Sequence, residues 1–209
     1  MAATIAGHLS ATAWRTGVAA LPPRIAAALL RVPRERFAAG ASLARAHDDT
    51  ALAIGDGQTL SQPFVVALMT TLLQPAPRDR ILEIGTGSGY QAAVLAELVA
   101  EVRSVEVVPR LAERAAALLH ELGDDHVFVR IGDGWQGWPE HAPYDGIVVT
   151  CGTEAIPPAL LAQLLPHGHL VMPLGPPDAQ QLCDITLDAR RRPLVREVLS
   201  VRFVPFVHD

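Results

Sequence analysis

The chain has 209 residues, 50% of them hydrophobic, with mean hydropathy +0.25, net charge −5 and pI about 5.9. That is enough for one well-cored domain and short for two, and the acidic balance gives no electrostatic reason to expect a nucleic acid or an anionic membrane as partner. Cys151 and Cys183 have no metal-ligand spacing and imply no disulfide framework, while M-A-A-T-I-A-G-H-L-S lacks the basic start and apolar core of a signal peptide. No run approaches the ~18 apolar residues of a membrane span, so a cytoplasmic, metal-free domain is expected. All 17 basic residues are arginine, a bias that reads as genome composition rather than function.

Residues 1–20 have weak periodicity and no strong cap, and predict no firm element. Pro22-Pro23 can open a helix at the position where proline is tolerated, giving Arg24 to Val32, ended by Pro33. Ala44 to Pro63 reads as a polar, glycine-containing loop ending in Ser61-Gln62-Pro63, a cap followed by proline. The apolar helix Phe64 to Leu73 follows, and Pro75 and Pro77 break the chain after it. A loop that brings the hydroxyls of Thr59 and Ser61 to a helix start can bind a carboxylate. An ordinary N-cap serine fits the same spacing.

Arg80 to Ile84 is an apolar strand carrying one acid, Glu83. Gly85, Gly87 and Gly89 follow at alternate positions, then a helix from Tyr90 to about Val99. A strand that runs through such glycines into a helix start is a nucleotide-binding turn, because the glycines allow positive φ and close backbone approach. The dinucleotide fingerprint needs its third glycine at the sixth position, which is Tyr90 here. What remains, E-x-G-x-G-x-G, resembles the first motif of class I S-adenosylmethionine methyltransferases. The resemblance implies that the strand acid lies near the methionine moiety and that the glycines pass under the ligand.

Val102 to Val107 is a second strand. Glu106, near its end and seventeen positions after Gly89, is placed to accept both ribose hydroxyls of a nucleoside. A helix runs from Pro109 to about Leu122, and a third strand, Val127 to Ile131, ends in Gly132-Asp133-Gly134. Asp133 is suited to an adenine amine, although a bare G-D-G is also a β-turn. Tyr144 to Thr150 is a fourth strand with Cys151-Gly152-Thr153 at its carboxyl end, where ligands bind in open parallel sheets. A helix, Ile156 to Leu165, and a fifth strand, Gly168 to Leu174, follow. Gln181 to Leu187 and Glu197 to Val204 form a hairpin-like closing pair. The expected fold is α/β: a three-layer α/β/α sandwich, Rossmann-like, around a mostly parallel seven-stranded sheet. It forms a single domain, with a helical and substrate-loop region at 1–75 and a cofactor-binding core at 78–209.

V-P-R-E-R-F, A-L-A-I-G-D-G-Q-T-L-S-Q-P, I-L-E-I-G-T-G-S-G-Y-Q, G-D-G-W-Q-G-W, A-P-Y-D-G-I-V-V-T, G-H-L-V-M-P-L-G and R-F-V-P-F-V occur in that order between Val32 and Val207. On these stretches the chain resembles bacterial protein-L-isoaspartate O-methyltransferases. The resemblance implies methyl transfer from S-adenosylmethionine, released as S-adenosyl-L-homocysteine, to the α-carboxylate of L-isoaspartyl residues in damaged proteins. The ester then collapses to a succinimide. It implies Ser61 as the active-site residue and Gln58, Thr59, Leu60, Ser61, Glu83, Gly85, Thr86, Gly87, Gly89, Glu106, Asp133 and Gly134 as cofactor-binding. Thr59, Ser61, Phe203, Val204 and Pro205 are implied as substrate-binding, and a monomer is expected.

A carboxylate with pKa about 4 is already ionised at neutral pH, so its methylation needs placement rather than a general base. Ser61 therefore reads as a positioning hydrogen-bond donor, and no Ser–His–Asp set is expected. The chain departs from the family pattern at His47, Ala53 and Cys151-Gly152. A related enzyme esterifying an aspartate of one dedicated peptide, and a non-catalytic S-adenosylmethionine-binding module, are the alternatives.

Overall fold

The structure is a computed structural model and describes residues 1–38 and 40–208. Four helices open the chain: α1 (Ala2–Thr16), α2 (Pro23–Arg31), α3 (Arg34–Phe37) and α4 (Leu43–Ala46). A hairpin of β1 (Leu52–Gly55) and β2 (Gln58–Leu60) follows, then α5 (Pro63–Leu73). The remainder alternates: β3 (Arg80–Ile84), α6 (Tyr90–Ala96), β4 (Glu101–Glu106), α7 (Pro109–Glu121), β5 (Val127–Ile131), β6 (Tyr144–Val149), α8 (Pro158–Gln163), β7 (Leu164–Leu174), β8 (Gln180–Leu187) and β9 (Pro193–Val201). Two 3-10 turns, Gly134–Gln136 and Pro139–His141, lie between β5 and β6.

The seven-stranded sheet has the order β5-β4-β3-β6-β7-β8-β9. Strands β3 to β7 are parallel to their neighbours, and β8 and β9 add on in antiparallel fashion. The order reverses direction between β3 and β6, which places a switch point at the carboxyl ends of those two strands. One face of the sheet carries a large core built with α1, α2, α5, α6 and α7, including Ile5, Leu29, Leu68, Val94, Leu111 and Val102. The other face carries a smaller one, in which Leu82, Ile147 and Met172 pack with Leu160 of α8. The expected three-layer Rossmann-like architecture is therefore present, with one helical layer much thicker than the other.

Three expectations are corrected. Residues 2–16, assigned no element from the sequence, form a helix that ends on Gly17 in the left-handed region (φ 75°). Only Ile5, Leu9 and Thr16 are buried along it, so its sequence periodicity is faint. Its contacts with α5 and β9 supply the stability that propensity does not. The supposed loop before Pro63 contains the β1–β2 hairpin, with Leu52 opposite Leu60. Its turn, Gly55-Asp56-Gly57, has positive φ throughout (96°, 53° and 72°). Asp-Gly between alternating apolar residues is a hairpin signal, and Leu52, Ile54 and Leu60 are the buried set. The last strand ends at Val201 rather than Val204, because Phe203 leaves the ladder to bond Gln180: its N–H donates to Gln180 Oε1 at 2.6 Å.

At Gly146 in β6, a methyl group would meet Leu73 Cδ1 at 2.8 Å and Ile81 Cδ1 at 3.1 Å, so the bare backbone is what lets α5 lie against the sheet. Gly146→Ala is expected to lower the unfolding free energy by about 1–3 kcal/mol through overpacking. Urea denaturation with an unchanged slope is the check.

Candidate active site

The site forms where the parallel strands end. Gly85 N–H donates to Val105 O at 2.8 Å and Thr150 N–H donates to Ile84 O at 2.9 Å, so the start of the glycine turn is stitched to both neighbouring strands. The Thr150 hydroxyl donates to Gly85 O at 2.6 Å. A side chain at Gly85 (φ 90°) would strike that hydroxyl. Gly87 (φ 54°) lies under Ile54 of the hairpin, and its N–H donates to Glu106 Oε2 at 2.8 Å. Glu106 Oε1 accepts from Val108 N at 3.0 Å. The carboxylate thereby spans the glycine turn and the β4–α7 connection, and each oxygen keeps acceptor capacity for a further donor.

Around this floor lies a cleft bordered by Gln58 and Thr59 on the hairpin side, Gly85, Gly87 and Glu106 below, and Val204 to Val207 opposite. Apolar walls at Ile84, Val105 and Val207 beside a single carboxylate suit a nucleoside: a flat base against the apolar side chains, hydroxyl groups on Glu106. Gly134 also borders it, and a Cβ there would hit Ile84 Cγ2.

A second groove is bordered by Thr59, Ser61, Gln62 and Val65 on one side and Leu199 to Phe203 on the other. It adjoins the cleft: neighbouring stretches of the same two chain segments wall both, and Thr59 belongs to each. Among the described residues neither the Thr59 nor the Ser61 hydroxyl makes an intramolecular hydrogen bond. Ser61 does not cap α5, as one reading of its spacing allowed. Gln62 is the cap residue, and Asp49 Oδ1 accepts from Phe64 N at 2.8 Å in its place. The serine hydroxyl is thus left to the groove.

The segment after β9 is held by the main chain of Gly152, one of the positions that depart from the family pattern. Gly152 N–H donates to Val204 O at 2.8 Å and Phe206 N–H donates to Gly152 O at 2.7 Å. A Cβ at Gly152 would overlap the Gln180 amide that holds Phe203, which explains the glycine. Cys151 borders the cleft, and burial, with Glu106 adding to it, pushes its thiol well above the ordinary range. It is a neutral wall, not a thiolate.

Of the cofactor residues implied by resemblance, Gln58, Thr59, Gly85, Gly87, Glu106 and Gly134 border the cleft, while Ser61 borders only the groove. The rest stand back from it. Leu60 is a core residue. Gly89 faces Ala115 and Leu119 of α7, so its missing side chain serves helix packing. Asp133 caps the 3-10 turn, accepting from Trp135 N at 2.8 Å. Of the substrate set, Phe203 borders the groove and Val204 and Pro205 the cleft. Thr150, Phe206 and Val207 also border the cleft. For Thr150 the signal was its place at a strand end, whereas Phe206 and Val207 arrive from the far end of the chain and have no local signal.

Glu83 and Thr86 lie beneath the turn. Glu83 is fully buried on the face it shares with Ser104, whose hydroxyl bonds the Glu83 carboxyl and, at 2.6 Å, the Thr86 hydroxyl. Glu83 Oε1 has no partner among the described residues. Burial is the main cause raising its pKa to about 8, against the Ser104 bond that favours ionisation, with Glu106 adding to the rise. A folded-state pKa above the unfolded value of 4.5 gives stability that is complete below about pH 4.5 and is lost as pH rises towards 8. The loss is on the order of a few kcal/mol. Glu83→Gln should flatten the pH dependence of the denaturant midpoint across that window. Parallel curves for mutant and wild type would show that Glu83 does not titrate there.

Comparison with known proteins agrees with this geometry. The sequence model of the protein-L-isoaspartate(D-aspartate) O-methyltransferase family matches residues 9–209. Protein-L-isoaspartate O-methyltransferase 2 of Syntrophobacter fumaroxidans is 50% identical over 195 residues, covering 93% of this chain and 79% of its own. The Opitutus terrae protein-L-isoaspartate O-methyltransferase is 50% identical over 183 residues, covering 88% and 78%. A solved protein-L-isoaspartate O-methyltransferase superposes with TM-score 0.85 at 30% identity, covering 98% of this chain and 65% of that one. A putative Plasmodium falciparum relative, solved with S-adenosyl-L-homocysteine, shares the fold at TM-score 0.77 and 22% identity over 97% of this chain and 98% of its own. From the strand order, the glycine turn and these matches together, the chain belongs to the protein-L-isoaspartate(D-aspartate) O-methyltransferase family.

Proposed function

We infer that the chain transfers a methyl group from S-adenosylmethionine to the α-carboxylate of L-isoaspartyl residues in proteins. The observation that carries this reading is the adjacency of the two cavities: a cleft floored by the glycine turn and Glu106 shares Thr59 with a groove that carries the unbonded hydroxyl of Ser61. S-adenosylmethionine supplies an electrophilic methyl on sulfur when bound. The chain's part is to hold donor and acceptor in line, an orientation effect worth far more than any proton transfer here.

In this reading Glu106 accepts the ribose hydroxyls, Gly85, Gly87 and Gly134 give the cofactor close backbone approach, and Val105 and Val207 flank the base. Thr59 and Ser61 donate to the acceptor carboxylate, while Leu199 to Phe203 form the opposite wall for an extended peptide. Asp133 holds the Gly134 turn through Oδ1, and its second carboxylate oxygen accepts from the adenine amine. The neutral Cys151 thiol offers no competing nucleophile at the methyl. No helix among the described residues is long and apolar enough to cross a membrane. A single unit acting in the cytoplasm as a monomer on damaged proteins, without nucleic acid, completes the proposal.

The direct test incubates the protein with methyl-labelled S-adenosylmethionine and a pair of peptides differing only in isoaspartyl or aspartyl linkage. Label enters the isoaspartyl peptide alone if the reading is right; incorporation into neither peptide sinks it. Ser61→Ala should lower turnover ~10-fold or more while leaving cofactor affinity within about twofold. Equal turnover would remove Ser61 from the site. Glu106→Gln should do the reverse, weakening S-adenosylmethionine binding by roughly 10-fold in calorimetry because one charged acceptor is lost.

A further inference from the structure

Arg34 is the only arginine with a fully buried side chain among the described residues. A buried guanidinium is costly unless charge or hydrogen bonds compensate it, yet no carboxylate forms an ion pair with it. The neighbouring acids are engaged elsewhere: Glu35 with His47 at 3.3 Å, Asp49 with His8 at 2.6 Å. The hydrogen bonds of Arg34 go to backbone, and its Nη1 has no hydrogen-bond partner among the described residues. Its Nε donates to Ala46 O at 2.9 Å and its Nη2 to Ser61 O at 2.7 Å. The guanidinium lies over the Tyr90 ring, 4.8 Å from its centroid, and Tyr90 is the first residue of α6, directly after Gly89.

We propose that Arg34 is a positioning residue for methyl transfer: it fixes the main chain of Ser61 against the helix that follows the glycine turn, so that the Ser61 hydroxyl stays turned to the groove. The observations combine in one direction. Ser61 is held by its carbonyl and free at its hydroxyl, and Asp49 fixes the next turn through Phe64 N and through Gln62 Nε2 at 3.0 Å. The acceptor segment is therefore clamped at Ser61 and just beyond it by two side chains from the region before β1. Tyr90 supplies the reference point, because its helix starts where the donor-side turn ends. Arg34 itself borders neither cavity. The fork of a guanidinium serves two carbonyl oxygens on different segments at once while staying within 4.8 Å of a ring centroid; a lysine ammonium on its flexible stem does not hold that geometry.

This inference rests on the isoaspartyl reading, and its test separates the two. Arg34→Lys keeps the charge and Arg34→Met keeps the bulk, and both are assayed well below their measured unfolding temperatures. For each variant that is folded by circular dichroism, kcat with an isoaspartyl peptide should fall ~10- to 100-fold, while the calorimetric Kd for S-adenosylmethionine stays within about twofold of wild type. Amide hydrogen exchange over residues 59–64 should be faster in both variants. Wild-type kcat in a folded Arg34→Lys protein, or equal losses of kcat and cofactor affinity, would overturn the proposal. If the wild-type protein methylates no isoaspartyl peptide, the functional reading falls by itself. The exchange measurement then still decides whether Arg34 holds the Ser61 segment: unchanged exchange in both variants overturns it.

Discussion

The structure depends on how β3 leaves the sheet. At Gly85 the chain passes so close to Thr150 that no side chain fits, and the Thr150 hydroxyl closes on the Gly85 carbonyl at 2.6 Å. On the other flank Glu106 takes the Gly87 N–H. Three adjacent parallel strands thus each fasten the same turn at their carboxyl ends. A turn pinned this way cannot drift when a ligand arrives, and a rigid floor is what placement of a methyl donor requires.

The walls come from parts of the chain with no sequence proximity. The β1–β2 hairpin supplies Gln58 and Thr59, and the chain after β9 supplies Val204 to Val207. Each wall is docked by its own fastening. Arg114 donates to Ile54 O at 3.0 Å on the hairpin side, and Gly152 exchanges backbone bonds with Val204 and Phe206 on the other. The cleft and the groove meet at Thr59, because the two chain segments that wall the cleft run on to wall the groove.

Two buried ionisable groups flank the cleft and groove without lining them, and their environments act in opposite senses. Around Glu83, burial favours the neutral acid. Around Arg34, burial lowers the pKa, but the Tyr90 ring and two carbonyl oxygens hold the guanidinium in place. Neither forms an ion pair, and both connect a strand or loop of the core to the segment that faces ligand. Buried polar contacts of this kind tend to fix geometry more than they add stability.

Much of the plan was legible in the sequence because it follows from local chemistry. Alternating apolar strands and proline-started helices predict the layers, and E-x-G-x-G-x-G with Glu106 at the next strand end predicts which edge carries the ligand. The hairpin within A-L-A-I-G-D-G-Q-T-L was legible too, in its Asp-Gly turn and in the alternation of Leu52, Ile54 and Leu60. Helix α1 was not, since three buried positions in fifteen residues leave almost no period to detect. The intramolecular contacts of Glu83, Gly89 and Asp133 were also beyond local reading. A spacing says that a residue stands near a strand end, but only packing decides whether it turns to the cleft, to Ser104, to α7 or to Trp135 N. The sequence by itself determined the fold class and the floor of the site, because these rest on short-range patterns of apolar residues and glycine, and it pointed to the family through the resemblance carried by motifs such as Q-T-L-S-Q-P and G-D-G-W-Q-G-W. The tertiary structure decided which segments wall the cleft and groove and that Arg34 clamps Ser61, because those contacts join residues far apart in the chain and are selected by burial, not by spacing.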